Sequence, residues 1–280
     1  KFLGFPLNLP FGISAGPLLN SKFVKAAYDF GFSINTYKTV RSNYFPCHPF
    51  PNVVYVNAPE KLDTLKTQNL KVKYNNIDLK KISITNSFGV PSRDPKFWQH
   101  DVKKALKYEK KGQLLILAFM GTVKKNQTKQ DFIDDFALAA KLSMQTGVKV
   151  LEVNLSCPNI ANEGLVCYDL KLTEKICKAI RKAIRNTPLI IKVGYYLDDK
   201  DIDNLAKIAN EYANAVAAIN TIQTKILDKN GNQALPGNNR LRSGVAGHTI
   251  KWAGIEMVNK LNKIRQKNNY KYGIVGIGGV

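Results

Sequence analysis

Two periods of hydrophobic and polar positions alternate along this chain. Short apolar runs, often β-branched, recur at Leu9–Ala15, Phe32–Tyr37, Lys81–Thr85, Leu114–Met120, Val148–Leu155, Leu189–Val193, Ala215–Asn220 and Tyr272–Gly276. Their length and composition predict strands buried on both faces. Helical spacing fills most of the intervals, at Asn20–Asp29, from Asp94-Pro95 to about Lys110, and at Lys129–Gln145, Thr173–Arg185, Asp198–Tyr212 and Thr249–Gln266. Asp94-Pro95 reads as an N-cap followed by an N1 proline, and Gly147 stops the helix before it.

Repeated strand–helix units with apolar strands predict a parallel sheet with helices outside it. Seven β/α steps in 280 residues come close to an α/β TIM (β/α)8 barrel. A doubly wound sheet is the alternative, but it needs a glycine fingerprint after its first strand, which is absent. The expectation is one domain spanning 1–280, with the last helix pair and the eighth strand missing from this chain. Residues 41–81 break the pattern. They hold Pro46, Pro49, Pro51 and Pro59, then Leu70–Tyr74 and Ile77–Ile84 around Asn75-Asn76, which predicts a hairpin-like excursion over the catalytic face.

Composition adds limits. A net charge of +21 invites a nucleic-acid reading. Only 7 of the 42 basic residues are Arg, however, and the Lys residues are spread along the chain, which describes a solvated lysine-rich surface better than a nucleic-acid groove. Such a surface still steers an anionic substrate. No apolar run reaches the length of a membrane span. Cys47, Cys157, Cys167 and Cys177 form no CxxC pair and no zinc spacing with His48, His100 or His248, so no metal site is expected and a reducing, cytoplasmic setting is.

In a β/α barrel the C-terminal ends of the strands converge on one face. Those ends carry Ser14-Ala15-Gly16, Lys38-Thr39, Asn86-Ser87-Phe88-Gly89, Asn154-Leu155-Ser156-Cys157-Pro158-Asn159, Lys192, Ile219-Asn220-Thr221, Ser243–Gly247 and Gly276–Gly279. A single strand-end Asn is a turn former, and a lone Cys beside Pro is a small buried hydrophobe. Four Asn, two Lys and one Cys brought to one face are a site instead. The thiol can act as base or nucleophile, and the amides can hold a planar, carbonyl-rich ligand. The backbone N–H groups of Gly247 and of Gly278-Gly279 can approach a phosphate, helped by the following helix.

The six residues 154–159 resemble the active-site loop of the class 1 dihydroorotate dehydrogenases, in which class 2 enzymes carry Ser for Cys. The other strand-end groups fall in that family's order and spacing from about Leu7 to Val280. The resemblance implies an FMN-dependent barrel of class 1A type that oxidises dihydroorotate to orotate. Cys157 would be the catalytic base. Lys38, Asn86, Ser87, Phe88, Gly89, Asn154, Asn159, Asn220 and Thr221 would bind substrate. Ala15, Gly16, Lys38, Thr39, Asn154, Lys192, Ile219, Gly247, Gly278 and Gly279 would line the FMN, with Lys192 near the flavin N1–C2=O edge. It also implies a small anionic pyrimidine substrate, fumarate or another electron acceptor, and a homodimer.

The chain departs from the class 1A pattern in two places. It has Phe88-Gly89-Val90-Pro91-Ser92 where those enzymes carry Met-Gly-Leu-Pro-Asn, and residues 57–81 are longer. Phe88 reshapes the wall over the substrate, which keeps oxidation of another dihydropyrimidine as an alternative. A tRNA dihydrouridine synthase is a more distant one, with Gly before Cys-Pro in that family where this chain has Ser156.

Overall fold

The computed structural model describes residues 1–64, 68–156 and 166–279. Among these the chain runs β1 (Gly12–Ile13), α1 (Ser21–Asp29), β2 (Ile34–Val40), β3 (Val53–Asn57), β4 (Asn69–Val72), β5 (Ser83–Asn86), α2 (Pro95–Leu106), β6 (Leu114–Phe119), α3 (Lys129–Met144), β7 (Val150–Asn154), α4 (Leu170–Ile184), β8 (Leu189–Val193), α5 (Asp199–Tyr212), β9 (Ala215–Ala218), β10 (Ile222–Leu227), β11 (Arg242–Gly247), α6 (Lys251–Lys267) and β12 (Gly273–Gly276).

Seven of these strands pair in the order β1-β2-β6-β7-β8-β9-β12, every neighbouring pair parallel. The sheet is curled into a half-barrel with helices outside, the arrangement of a TIM-barrel-like enzyme. Side-chain alternation divides each central strand between two cores. On β6, Leu115, Leu117 and Phe119 point out into the helix layer. Leu114 and Ile116 point in, where they meet Val150, Ile190, Ala215 and Ala217. Phe2, Leu3, Phe5 and Leu7 pack against that inner cluster. Burying a Leu or Ile side chain this completely stabilises by roughly 1.5–3 kcal/mol.

Helix starts follow local chemistry. The Asn20 side chain accepts from Lys22 N at 2.9 Å to begin α1. Thr128 and Asp131 form a reciprocal capping box on α3. Asp169 and Asp198 cap α4 and α5. Asp94 does precede α2, but its side chain makes no capping hydrogen bond. Pro95 at the first helical position, with φ preset and no N–H to satisfy, carries that start instead. The helix ends at Leu106, short of the expected Lys110, and a turn leads into β6.

The strand pattern needs three corrections. The first run pairs only over Gly12–Ile13, because Leu9 and Phe11 are exposed; any side chain at Gly12 would overlap the Ile34 carbonyl. Lys81–Thr85 does not enter the parallel sheet. Its strand, β5, lies in a second, closed five-stranded barrel ordered β10-β11-β5-β3-β4. Leu70–Tyr74 does not fold back on Ile77–Ile84 either: β4 pairs antiparallel with β3 and parallel with β10. The small barrel is assembled from two insertions, one between β2 and α2 and one between β9 and α6. Both leave from the C-terminal ends of sheet strands, so they meet over that face.

Candidate active site

The interior strand positions turn polar toward their C-terminal ends. On β7 the inward series is Val150, Glu152, Asn154; on β8 it is Ile190, Lys192. Asn154 sits opposite Lys192 in the parallel ladder. Glu152, Asn154 and Lys192 are all buried. Burial pushes the Glu152 carboxyl up, with Lys192 pulling against that rise.

Asn154, Ser156 and Asn220 form one network. Ser156 N and Oγ donate to Asn154 Oδ1 at 3.1 and 3.2 Å. Asn220 Nδ2 donates to Ser156 Oγ at 2.7 Å and to its carbonyl at 3.2 Å. Asn220 Oδ1 then accepts from Thr221 N at 2.9 Å. The backbone of both Asn segments is tied to β8, through Leu155 N to the Lys192 carbonyl (3.0 Å) and Asn220 N to the Val193 carbonyl (2.8 Å). The two amides are therefore held in fixed orientation on adjacent loops. Cys157 and Asn159 lie outside the described residues.

The Asn86–Gly89 segment reaches the site from the small barrel. Asn86 pairs in the ladder with Gly244 on β11 and with Val53 on β3. Two buried arginines hold the turn after Asn86, although the sequence pattern does not single them out. Arg240 Nη2 donates to the Ser87 carbonyl at 2.8 Å and to Asn52 Oδ1 at 2.6 Å. Arg41 donates from Nε to the Val90 carbonyl at 2.9 Å and from Nη1 to the Gly121 carbonyl at 2.9 Å. His48 Nδ1 lies 3.0 Å from the Ser87 carbonyl, and its ring fills the space a Cβ at Gly89 would need. Phe88 is half-buried beside this turn. The available signal is scarcity: in a chain with few Arg, two lie in the stretches flanking candidate site loops.

The glycine loops meet at the other end. Gly247 closes β11 at φ +98°, and a Cβ there would overlap the Ile82 carbonyl. Gly279, at φ +71°, would place a Cβ 2.8 Å from the Gly247 carbonyl and 2.6 Å from Lys251 Cβ at the start of α6. Gly278, at φ +117°, packs on Ile219 and Ile250. Ile219 is fully buried, with its N–H given to the Ile277 carbonyl at 2.9 Å. This is a cradle in which side chains are excluded and backbone approaches closely beside a helix start, as an anionic phosphate requires. Along the rim toward β2 lie Ala15 and Gly16 beyond β1, half-buried Lys38 and buried Thr39. The donor set, one cation inside and glycines at one end, fits a flavin mononucleotide.

The dihydroorotate dehydrogenase family profile matches residues 1–280. The chain belongs to the dihydroorotate dehydrogenase family. A dihydroorotate dehydrogenase of Dictyostelium discoideum is 35% identical over 289 residues, covering 100% of this chain and 77% of that protein. A catalytic subunit of the NAD(+) B type from Brachyspira hyodysenteriae is 26% identical, covering 70% of this chain and 58% of its own length. A fumarate A-type enzyme from Lactobacillus delbrueckii subsp. bulgaricus is 30% identical, covering 54% of this chain and 47% of its own length. Dihydroorotate dehydrogenases are FMN-dependent flavoprotein oxidoreductases that act on CH–CH bonds in pyrimidine biosynthesis, and this chain is one of them. Among the described residues no helix is long and apolar enough to cross a membrane.

Proposed function

We propose that the residues gathered at the C-terminal face carry out the oxidation of dihydroorotate to orotate with Cys157 as the base. The observation that carries this reading is the fixed pair of amides, Asn154 and Asn220, locked through Ser156, the residue immediately before Cys157. Asn154 keeps its Nδ2 to donate to a carboxylate or a ring carbonyl, and Asn220 Oδ1 keeps capacity to accept from a ring amide, while Asn86 and Asn159 complete the grip. Cys157 takes the proton from C5, alpha to a carbonyl, which needs a positioned base. Bound FMN supplies the acceptor for the hydride that leaves C6. The double bond forms between C5 and C6, so one proton goes to the thiolate and two electrons with the other hydrogen leave as hydride.

Gly247, Gly278 and Gly279 hold the phosphate in this reading, and Lys192 faces the N1–C2=O edge. Lys38 lies between cofactor and substrate, and Thr39 lines the cofactor. The whole chain serves as one FMN-binding unit in the cytoplasm, working as a homodimer with fumarate or another electron acceptor, as the class 1A resemblance suggests.

An anaerobic titration of the flavin-loaded protein decides the substrate. Dihydroorotate is expected to bleach the flavin stoichiometrically. Bleaching by 5,6-dihydrouracil but not by dihydroorotate would transfer the activity to another dihydropyrimidine, the reading that Phe88 in the wall of the site favours.

A further inference from the structure

The interior of the half-barrel holds a buried carboxyl that the reaction above leaves unused. Glu152 is 3% exposed, and its Oε1 has no hydrogen-bond partner among the described residues. Its ladder neighbours are Ala118 on β6 and Ile190 on β8, neither of which carries a donor. The next inward position along its own strand is Asn154, whose Oδ1 is committed to Ser156. A carboxyl in such a place costs several kcal/mol unless something compensates it, and an apolar side chain would pack there with less penalty. Lys192 is the charge that acts on it, through space rather than through a direct ion pair. It lies on the neighbouring strand two residues beyond Ile190, on the same inward face, 5% exposed, and its charge pulls on Glu152.

We propose that Glu152 is a positioning residue for the flavin chemistry, its carboxylate being the counter-charge beneath Lys192 that sets how strongly this lysine stabilises negative charge on the isoalloxazine ring. The proposal rests on the reading that Lys192 faces the flavin N1–C2=O edge. The geometry supplies the sign. A negative charge one layer below Lys192 opposes reduction of the ring above it, so removing that charge makes reduction easier.

The test is the midpoint potential of bound FMN, measured by mediated spectroelectrochemistry on flavin-loaded wild type, Glu152→Gln, Glu152→Asp and Lys192→Met. Glu152→Gln is expected to raise the reduced-to-oxidised ratio at the wild-type midpoint about tenfold, a shift of ~30 mV for a two-electron couple. Glu152→Asp keeps the charge and is expected within about twofold of wild type. Lys192→Met is expected to shift the ratio the opposite way, and in its background Glu152→Gln should lose most of its effect. An unmoved potential in flavin-loaded Glu152→Gln, alongside a lowered one in Lys192→Met, overturns the role of Glu152. An unmoved potential in Lys192→Met overturns the placement of Lys192, and the proposal with it. If Glu152→Gln does not load flavin, Glu152→Met removes the charge without adding an amide and carries the same expectation.

Discussion

The lower and upper parts of the half-barrel interior are built from the same strands, yet they obey opposite rules. Below, Leu114, Ile116, Val150, Ile190, Ala215 and Ala217 form a cluster that holds the sheet in its curl. Further along the same strands, Ile190 gives way to Lys192, and Val150 to Glu152 and Asn154. These polar groups are buried like the apolar ones below, so exposure does not distinguish the halves. The difference lies in what each side chain gains from burial. The lower set gains transfer free energy. The upper set loses hydration and recovers it through partners and ligands. A strand can change roles within one pleat repeat because alternation fixes which side it faces and leaves the chemistry open.

The two halves should therefore fail differently. The largest expected effect is from Cys157→Ala, which should slow flavin bleaching by dihydroorotate roughly 10²–10⁴-fold, the usual scale for a general base, with little change in thermal midpoint. Stopped-flow mixing under anaerobic conditions measures it; an unchanged rate removes Cys157 from the mechanism. Below, Ile190→Ala should cost about 2–5 kcal/mol of stability, seen in denaturant unfolding, while the folded fraction retains its bleaching rate. A large loss of rate per folded molecule would erase the division between the halves.

Gly247→Ala should weaken FMN retention, because it adds a Cβ against the Ile82 carbonyl at a positive φ. Such strain costs on the order of 1–3 kcal/mol, readable as flavin fluorescence released on dilution. Equal retention would show that the cradle lies elsewhere. The smallest effect concerns the outer layer. Burial pushes the thiols of Cys167 and Cys177 up to about 12. At about pH 8, well below that value, they stay protonated and unreactive, whereas Cys47 is exposed. In a Cys157→Ala background a thiol reagent should therefore label one cysteine in the native protein and three after unfolding. Rapid native labelling of Cys177 would mean that α4 opens from the sheet.

Much of the parallel sheet is legible because its central strands are short, largely apolar runs. β6, β7, β8 and β9 are buried at every position, and the sequence shows them as such. The small barrel is not legible by that rule. β5 reads as a sheet strand when only its apolar content is weighed, yet its burial alternates between buried and half-buried positions, and Ile82-Ser83-Ile84-Thr85 carries that alternation openly. β10, with Ile222-Gln223-Thr224-Lys225-Ile226-Leu227, has too many polar residues to stand out as an apolar run, and its burial alternates over much of its length. Period two marks a strand with two different faces, and that signal separates the small barrel from the parallel sheet. The strand-end positions of Asn154, Lys192 and Asn220 follow from topology alone. Those of Arg41 and Arg240 do not, since most of their partners are backbone carbonyls, which leave no mark in a sequence.

The ladder between β5 and β11 also has a meaning in time. Thr85 Oγ1 donates to Ser243 Oγ across 158 residues of chain, and the same ladder sets Asn86 opposite Gly244. Closing so long a loop is entropically costly, and the compensating contacts form late. The glycine cradle depends on the same closure, because Gly247 pairs with Ser83 in that ladder. One long-range pairing therefore sets both the end of the site that grips phosphate and the wall that faces the substrate.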